Sequence, residues 1–285
     1  MDNYTLINKK FVLSQNAQIS TSQRACKFGD GIFETCKIFN GVIYDFESHK
    51  KRLEYGLEAL EIEFDTSDLK ENCYKLIKKN KLENGILKIS ISRGIGSMGY
   101  LPAENIEALE IIETTGEKKI NRDKIIIGVS KIKLYKKPSF LQKCKTMQSL
   151  NYVLAKIAAR KKSFFDDVMI SDEGFVGECS SSNIFWIKNG KIYTSSLKCN
   201  ILSGTVRQKI LQKFVMKINI VEASISRLLS ADEIFLTNSN FLVLAVDMLV
   251  FNDKKIKFQK KISDQVLNFI NEDLKNYCLK NAPKK

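Results

Sequence analysis

Histidine is nearly missing from these 285 residues; His49 is the single one. A Ser-His-Asp triad would have to be built around it, and a helix bearing two zinc-binding histidines cannot occur. On the general tendency of lone histidines, His49 beside Arg52 reads as a surface or capping residue. No stretch approaches the roughly 18 apolar residues that a membrane helix needs, and the opening MDNYTLINKKFVLSQ has no apolar run after a basic flank. The expectation is a soluble cytoplasmic chain with no membrane partner. The cysteines (26, 36, 73, 144, 179, 199 and 278) are odd in number and contain no CxxC pair, which points to neither a disulfide framework nor a zinc site. Arginine is scarce too: among 46 basic residues only positions 24, 52, 93, 122, 160, 207 and 227 are arginine, and the lysines are scattered in pairs. Without a basic stripe interleaved with aromatics, the formal charge of +14 reads as a solvated surface rather than a nucleic-acid track.

What is present is a mixed pattern. With 44% hydrophobic residues the chain can bury a substantial core in one large domain or two smaller ones. TLINKKFVL reads as a strand, ETCKIFNGVIYDF as a hairpin through Asn40-Gly41, and residues 48 to 60 as a helix with Leu53, Leu57 and Leu60 on one face. ILKISIS and ALEIIET are further strands. The polar stretch 116 to 124 lacks periodicity and marks a junction, dividing an N-terminal α/β domain (1–118) from a C-terminal one (119–285) that carries the lysine discussed below. After IIIGVS comes an amphipathic helix from about Leu150, with Leu150, Val153, Leu154, Ile157 and Ala158 at helical spacing. VMISDEGFVGE and NIFWIKNGKIYTSS read as hairpins, the second through Asn189-Gly190, and a helix runs from about Thr205 to Met216. The order favours an α/β (α+β) architecture.

Gly94, Gly96 and Gly99 match GxGxxG after a predicted strand, but Pro102 and a new strand near Ala108 leave no room for the crossover helix of a dinucleotide site. A tight loop is the better reading. A second constellation is more coherent: a lysine before a helix, a carboxylate at a strand end, and a glycine-led helix start. Pyridoxal phosphate needs an amine for its aldehyde, an anion opposite its ring nitrogen, and N–H donors with an arginine for its phosphate. Lys145, Glu178, Gly204 and Arg52 could fill those roles, although spacing alone would not select Lys145 from so many lysines.

Collinear segments between about residues 24 and 247 resemble the fold-type IV (class IV aminotransferase) family of pyridoxal-phosphate enzymes. RACKFGDGIFET (24 to 35) is similar to its N-terminal active-site strand, and HKKRL (49 to 53) to its His-x-x-Arg-Leu, whose arginine, here Arg52, grips the cofactor phosphate. KTMQSLNYVLAK resembles the lysine segment, with Lys145 as the residue that condenses with the aldehyde. EGFVGECSSSNIFWIKNGKIYT is similar to the most specific block, in which Glu178 pairs with the ring nitrogen and Ser182 and Asn183 line the cofactor. In NILSGTVRQ the resemblance puts Leu202 on the ring and Gly204, Thr205 and Val206 at the phosphate, Val206 replacing the usual threonine. FLTNSN adds the Ser239 hydroxyl. Phe33, Arg93 and Met98 fall at the family's substrate positions. The resemblance further implies two α/β domains with the cofactor between them and a homodimer.

Among the family's activities, Glu178-Cys179, NIFW and Leu-Thr-Asn-Ser resemble aminodeoxychorismate lyase, a folate-biosynthesis enzyme. Met98 stands where that lyase and the D-amino-acid aminotransferases carry an arginine for the substrate carboxylate. Met98-Gly99 is nearer to branched-chain aminotransferases, but Phe175 replaces their tyrosine and TNSNFLVLAV lacks their Ala-Glu-Val. The expected reaction is therefore the lyase's, with a branched-chain or D-amino-acid aminotransferase as the alternative. A noncatalytic basic binding protein would leave the matching segments unexplained.

Overall fold

The structure, a computed structural model, describes residues 3–118 and 120–282; residue 119, in the expected junction, lies outside them. The chain forms two compact units. Unit one comprises Met1–Lys118, Lys143–Gln148 and Leu274–Lys285, and unit two Lys119–Gln142 and Ser149–Asp273. The division differs from two consecutive blocks in two places. The segment with Lys145, expected in the C-terminal domain, belongs to unit one, because its backbone bonds to a strand there. The end of the last helix does likewise, with Tyr277 edge-on to Tyr44 at 5.4 Å.

Unit one holds β1 (Tyr4–Ile7), β2 (Lys10–Leu13), α1 (Arg24–Phe28), β3 (Gly31–Phe39), β4 (Val42–Ile43), α2 (Phe46–Ala59), α3 (Leu69–Lys79), β5 (Gly85–Ser92) and β6 (Leu109–Gly116). Its six strands form one antiparallel sheet in the order β2-β1-β6-β5-β3-β4. TLINKKFVL is thus two strands, not one, because Asn8 and Lys9 both take positive φ and turn the chain back. The Asn40-Gly41 hairpin forms as its sequence predicts. Ile32, Cys36 and Ile38 of β3 pack with Leu87, Ile89 and Ile91 of β5 against Leu53 and Leu57 of α2 and Leu69, Cys73 and Leu76 of α3. β5 and β6 are antiparallel neighbours joined by the glycine loop. A dinucleotide site needs a parallel pair with a helix between them, and here there is neither.

Unit two contains β7 (Ile126–Val129), α4 (Leu150–Lys161), β8 (Asp166–Ile170), β9 (Val176–Cys179), β10 (Asn183–Lys188), β11 (Lys191–Ser195), α5 (Thr205–Lys213), β12 (Ile218–Val221), α6 (Ile225–Leu229), β13 (Glu233–Asn238), β14 (Leu242–Ala245), β15 (Met248–Phe251), β16 (Lys254–Lys257) and the start of α7 (Lys261–Asn281). Two five-stranded sheets, β12-β11-β10-β13-β14 and β16-β15-β7-β8-β9, share one apolar core with Ile127, Val168, Val176, Ile184, Trp186, Leu236 and Leu249. Buried Glu233 accepts hydrogen bonds from the Ile262 and Ser263 N–H groups and the Ser263 hydroxyl, so a strand carboxylate caps α7.

On α4 the apolar stripe is not the packed face. Leu150, Val153, Leu154 and Ile157 are exposed, while Ala155 and Ala159 are buried and Tyr152 packs beside Ala155 against Leu134, Met169, Cys199 and Ile201. Small residues allow the close approach to β8 that the branched ones would block. All seven cysteines are free thiols, and among the described residues no helix is long and apolar enough to cross a membrane.

Candidate active site

Lys145 is placed by main-chain pairing. The Phe33 N–H donates to its carbonyl at 2.9 Å, the Met147 N–H donates to Gly31 O at 2.9 Å, and Ile32 and Thr146 are bridged. The approach is close enough to require glycine at 31, where a Cβ would lie 2.6 Å from Ile91 O and 2.9 Å from the Met147 sulfur. The Lys145 ammonium then lies 4.4 Å from the centre of the Phe33 ring, which the Lys88 ammonium approaches at 5.6 Å. Two predicted site residues, Lys145 and Phe33, thus meet in unit one.

Arg52 is anchored by a residue that sequence reading passed over. Glu34 occupies an inward position of β3, in the row Ile32, Glu34, Cys36, Ile38, and is buried. Its carboxylate takes both Nε and Nη2 of Arg52 at 2.7 Å and Nδ1 of His49 at 2.6 Å. His49 is thus buried and bonded to Glu34, not a surface or capping residue; it lies one turn from Arg52 on the face of α2 that meets β3. Burial pushes the Glu34 carboxyl up, yet the charge of Arg52, then that of His49, and their hydrogen bonds bring it down to about 2. The bidentate grip fixes the plane of the guanidinium, the preorganisation that phosphate binding rewards. An acidic residue at an inward strand position was the available signal.

Asp30 organises a second cluster in unit one. It accepts Nε of Arg24 at 2.7 Å and Nε of Arg93 at 2.9 Å. Arg24 donates onward to the carbonyls of Gly99 and Tyr100, and Arg93 to those of Glu61 and Leu60 at the end of α2. Burial raises the Asp30 carboxyl, but hydrogen bonds from the two arginines and their charges leave it lowered. Arg93, placed at the substrate by resemblance, has its guanidinium committed to Asp30 and to the last carbonyls of a helix. Met98 is 83% exposed, with the Lys27 ammonium 3.3 Å from its sulfur.

In unit two the residues expected around a cofactor ring and phosphate converge. Glu178, buried at the end of β9, accepts the Leu202 N–H at 3.0 Å and the Tyr152 O–H at 3.1 Å on Oε1, and the Asn183 amide at 2.9 Å on Oε2. Asn183 also donates to the Leu202 carbonyl at 2.8 Å, tying β10 to the loop before α5. Ser182 follows a turn closed by Cys179 N–H to Ser182 O, and its buried hydroxyl has no hydrogen-bond partner among the described residues. Gly204 is the N-cap of α5, with no side-chain cap, and a Cβ there would strike Asn183 Oδ1. α5 therefore presents its first N–H groups, at Thr205 and Val206, without a capping side chain, and the Thr205 hydroxyl lies 3.4 Å from that of Ser239. Arg207, fully buried one turn in, donates to the Ser195 carbonyl; burial lowers its guanidinium to about 10, with the Glu178 charge opposing.

These donors fit pyridoxal phosphate. A carboxylate that accepts several hydrogen bonds suits a place opposite a protonated ring nitrogen, a helix start without a cap suits a dianionic phosphate, and the buried Ser182 hydroxyl lacks a partner among the described residues. Among the described residues no cluster of three His, Cys, Asp or Glu side chains is placed to hold a metal. Tyr152 was not anticipated, since tyrosine on an otherwise apolar helix carries no sequence signal of what its hydroxyl meets.

The chain matches the model of the amino-transferase class IV family over residues 31–248. It is 26% identical to a putative branched-chain-amino-acid aminotransferase of Methanocaldococcus jannaschii, covering 91% of this chain and 93% of that one. It is 28% identical to a D-alanine aminotransferase of Bacillus licheniformis (85% and 86% covered) and 26% to an aminodeoxychorismate lyase of Bacillus subtilis (82% of each). Among solved structures, it shares its fold with the Escherichia coli branched-chain aminotransferase (TM-score 0.88, 17% identity, 96% and 95% covered) and the Pseudomonas aeruginosa 4-amino-4-deoxychorismate lyase (0.84, 23%, 95% and 99%). A further branched-chain aminotransferase, solved with pyridoxamine 5'-phosphate, superposes at TM-score 0.86 with 20% identity over 98% and 97%.

Proposed function

Since this chain belongs to the class IV aminotransferase family of pyridoxal-phosphate enzymes, we propose that it is an aminodeoxychorismate lyase, converting 4-amino-4-deoxychorismate to 4-aminobenzoate and pyruvate. The observation that carries this reading is the Glu178-Cys179 pair at the end of β9, where the carboxylate accepts from Leu202, Tyr152 and Asn183 and the thiol beside it is buried in the core. The match identities do not separate the family's activities, so local residues decide. Met98 is exposed and stands where both the lyase and a D-amino-acid aminotransferase carry an arginine, and Arg93 is committed to Asp30, so neither separates these two activities; Glu178-Cys179 and NIFW favour the lyase.

The cofactor, when bound, supplies an aldehyde for substrate amines and a ring that takes up electrons. Lys145 would hold it through Nζ and would move protons at that same atom. Glu178 would keep a proton on the ring nitrogen, Leu202 would pack on the ring, and Ser182 and Asn183 would line it. By the family resemblance Arg52, the first N–H groups of α5 and the Thr205 and Ser239 hydroxyls would bind the phosphate. The exposed apolar stripe of α4 supports a homodimer, which sedimentation would test.

The deciding experiment supplies holoenzyme with 4-amino-4-deoxychorismate and measures 4-aminobenzoate and pyruvate. Equal release of both, abolished by Lys145→Ala, is expected. Mixed with L-leucine or D-alanine without a keto acid, the enzyme should convert little of its cofactor to the pyridoxamine form. Rapid, complete conversion would instead make it a branched-chain or D-amino-acid aminotransferase.

A further inference from the structure

Two donors to Glu178 are built into its own neighbourhood, the Leu202 N–H before α5 and the Asn183 amide on β10. Another, Tyr152, arrives from the first turn of α4, and the chemistry proposed above gives it no role. Its ring packs among Leu134, Ala155, Met169, Cys199 and Ile201, with the Lys137 ammonium 5.7 Å from the ring centre. Its hydroxyl reaches past that apolar patch to Oε1 at 3.1 Å. Packing would be served equally by phenylalanine, so the oxygen is the part that calls for explanation.

The phenol can only donate in this contact. An ionised carboxylate has no proton to give, and burial, followed by the Glu178 charge and the hydrogen bond between them, pushes the Tyr152 hydroxyl well above the usual phenol range. A hydrogen bond donated to a carboxylate stabilises its charged form and makes it a weaker base. A weaker base opposite a protonated ring nitrogen leaves the proton on the ring. The buried Arg207 guanidinium acts on the same carboxylate through its charge, but it is aimed at the Ser195 carbonyl.

We propose that Tyr152 is a positioning residue that sets the basicity of Glu178 and thereby keeps the shared proton on the cofactor's ring nitrogen. The proposal rests on the reading that Glu178 faces that nitrogen, and the test separates the two. Holoenzyme is reconstituted with cofactor labelled with 15N in the ring, and the nitrogen resonance is recorded for wild type, Tyr152→Phe and Glu178→Gln. In Tyr152→Phe the signal should move toward the position of an unprotonated pyridine, corresponding to roughly a tenfold change in how the proton divides between ring and carboxylate. Replacing Tyr152 by 3-fluorotyrosine, a stronger donor of the same shape, should move it the other way. If Glu178→Gln moves the resonance while both Tyr152 substitutions leave it at the wild-type position, Tyr152 only packs and the proposal is overturned. If Glu178→Gln also leaves it unmoved, the assignment of Glu178 to the ring nitrogen falls, and this proposal with it.

Discussion

Replacing Glu34 by glutamine removes the charge around which Arg52 and His49 are arranged. In the folded protein this carboxyl titrates at about 2 rather than 4.5, because Arg52 and His49 outweigh its burial. A folded value below the unfolded one gives stability that is complete above about pH 5 and drains away as pH falls toward 2. The difference corresponds to roughly 3 kcal/mol at neutral pH. Glutamine also leaves the Arg52 charge buried without its counter-ion, so a loss of about 3 kcal/mol or more is expected at pH 6. The assay is urea unfolding of cofactor-stripped protein followed by far-UV circular dichroism. The single tryptophan, Trp186, is in unit two, so its fluorescence should move less than the dichroism. Between pH 6 and pH 3 the gap between wild type and Glu34→Gln should shrink by about 2 kcal/mol as wild type loses its advantage. A gap that stays constant over that range, or a variant as stable as wild type at pH 6, would refute the ion-pair account.

Two other substitutions test separate parts of the molecule. Gly204→Ala pushes a methyl group into Asn183 Oδ1, whose side chain is pinned by Glu178 and Leu202, so cofactor affinity by spectroscopic titration should fall at least about tenfold (about 1.4 kcal/mol) with little loss of fold. Glu110 is buried on β6, and burial raises its pKa against the lowering pull of the Lys9 backbone N–H and charge. Its raised value penalises the fold above that pKa and not below the unfolded one, so Glu110→Gln should add about 1 kcal/mol at pH 7 and nothing below about pH 4; no gain at pH 7 would show that the site is better solvated than its burial implies.

Short-range signals carried much of the fold into the sequence. Asn40-Gly41 and Asn189-Gly190 mark hairpins because both residues of each pair tolerate positive φ, and Leu53 and Leu57 mark the buried face of α2 because a helix repeats every 3.6 residues. Asn8-Lys9 turns the chain as sharply, but lysine gives no such signal, so β1 and β2 read as one strand. The α4 stripe misled for a different reason: periodicity shows that a helix has an apolar face, not that this face is turned inward, and two alanines decide the packing. At the site, the residues that resemblance named in unit two meet through Glu178 and Asn183. Tyr152 and the Asp30 cluster were illegible because each is defined by a partner between 6 and 76 positions away, whereas Glu34 left a signal, an acidic residue at an inward strand position.

The Glu34, His49 and Arg52 cluster raises the question of whether buried charge is kept for the fold or for the site. Breaking one member costs stability, but that cost is mostly the stranded partner and says little about the net worth of the group. The discriminating variant replaces all three with apolar side chains of similar bulk, Glu34→Leu, His49→Phe and Arg52→Met, in a region already walled by Ile32, Cys36, Leu53 and Leu57. With no charge left to desolvate, the triple variant should be about as stable as wild type or more so, and at least about 2 kcal/mol more stable than Glu34→Gln. It should at the same time hold pyridoxal phosphate poorly, because the guanidinium proposed to bind the phosphate is gone. A triple variant as unstable as Glu34→Gln would mean that the charges stabilise the fold outright. One that binds the cofactor like wild type would free Arg52 of its phosphate role. Stability kept and cofactor lost is the outcome expected of charges that the fold tolerates because the reaction needs them.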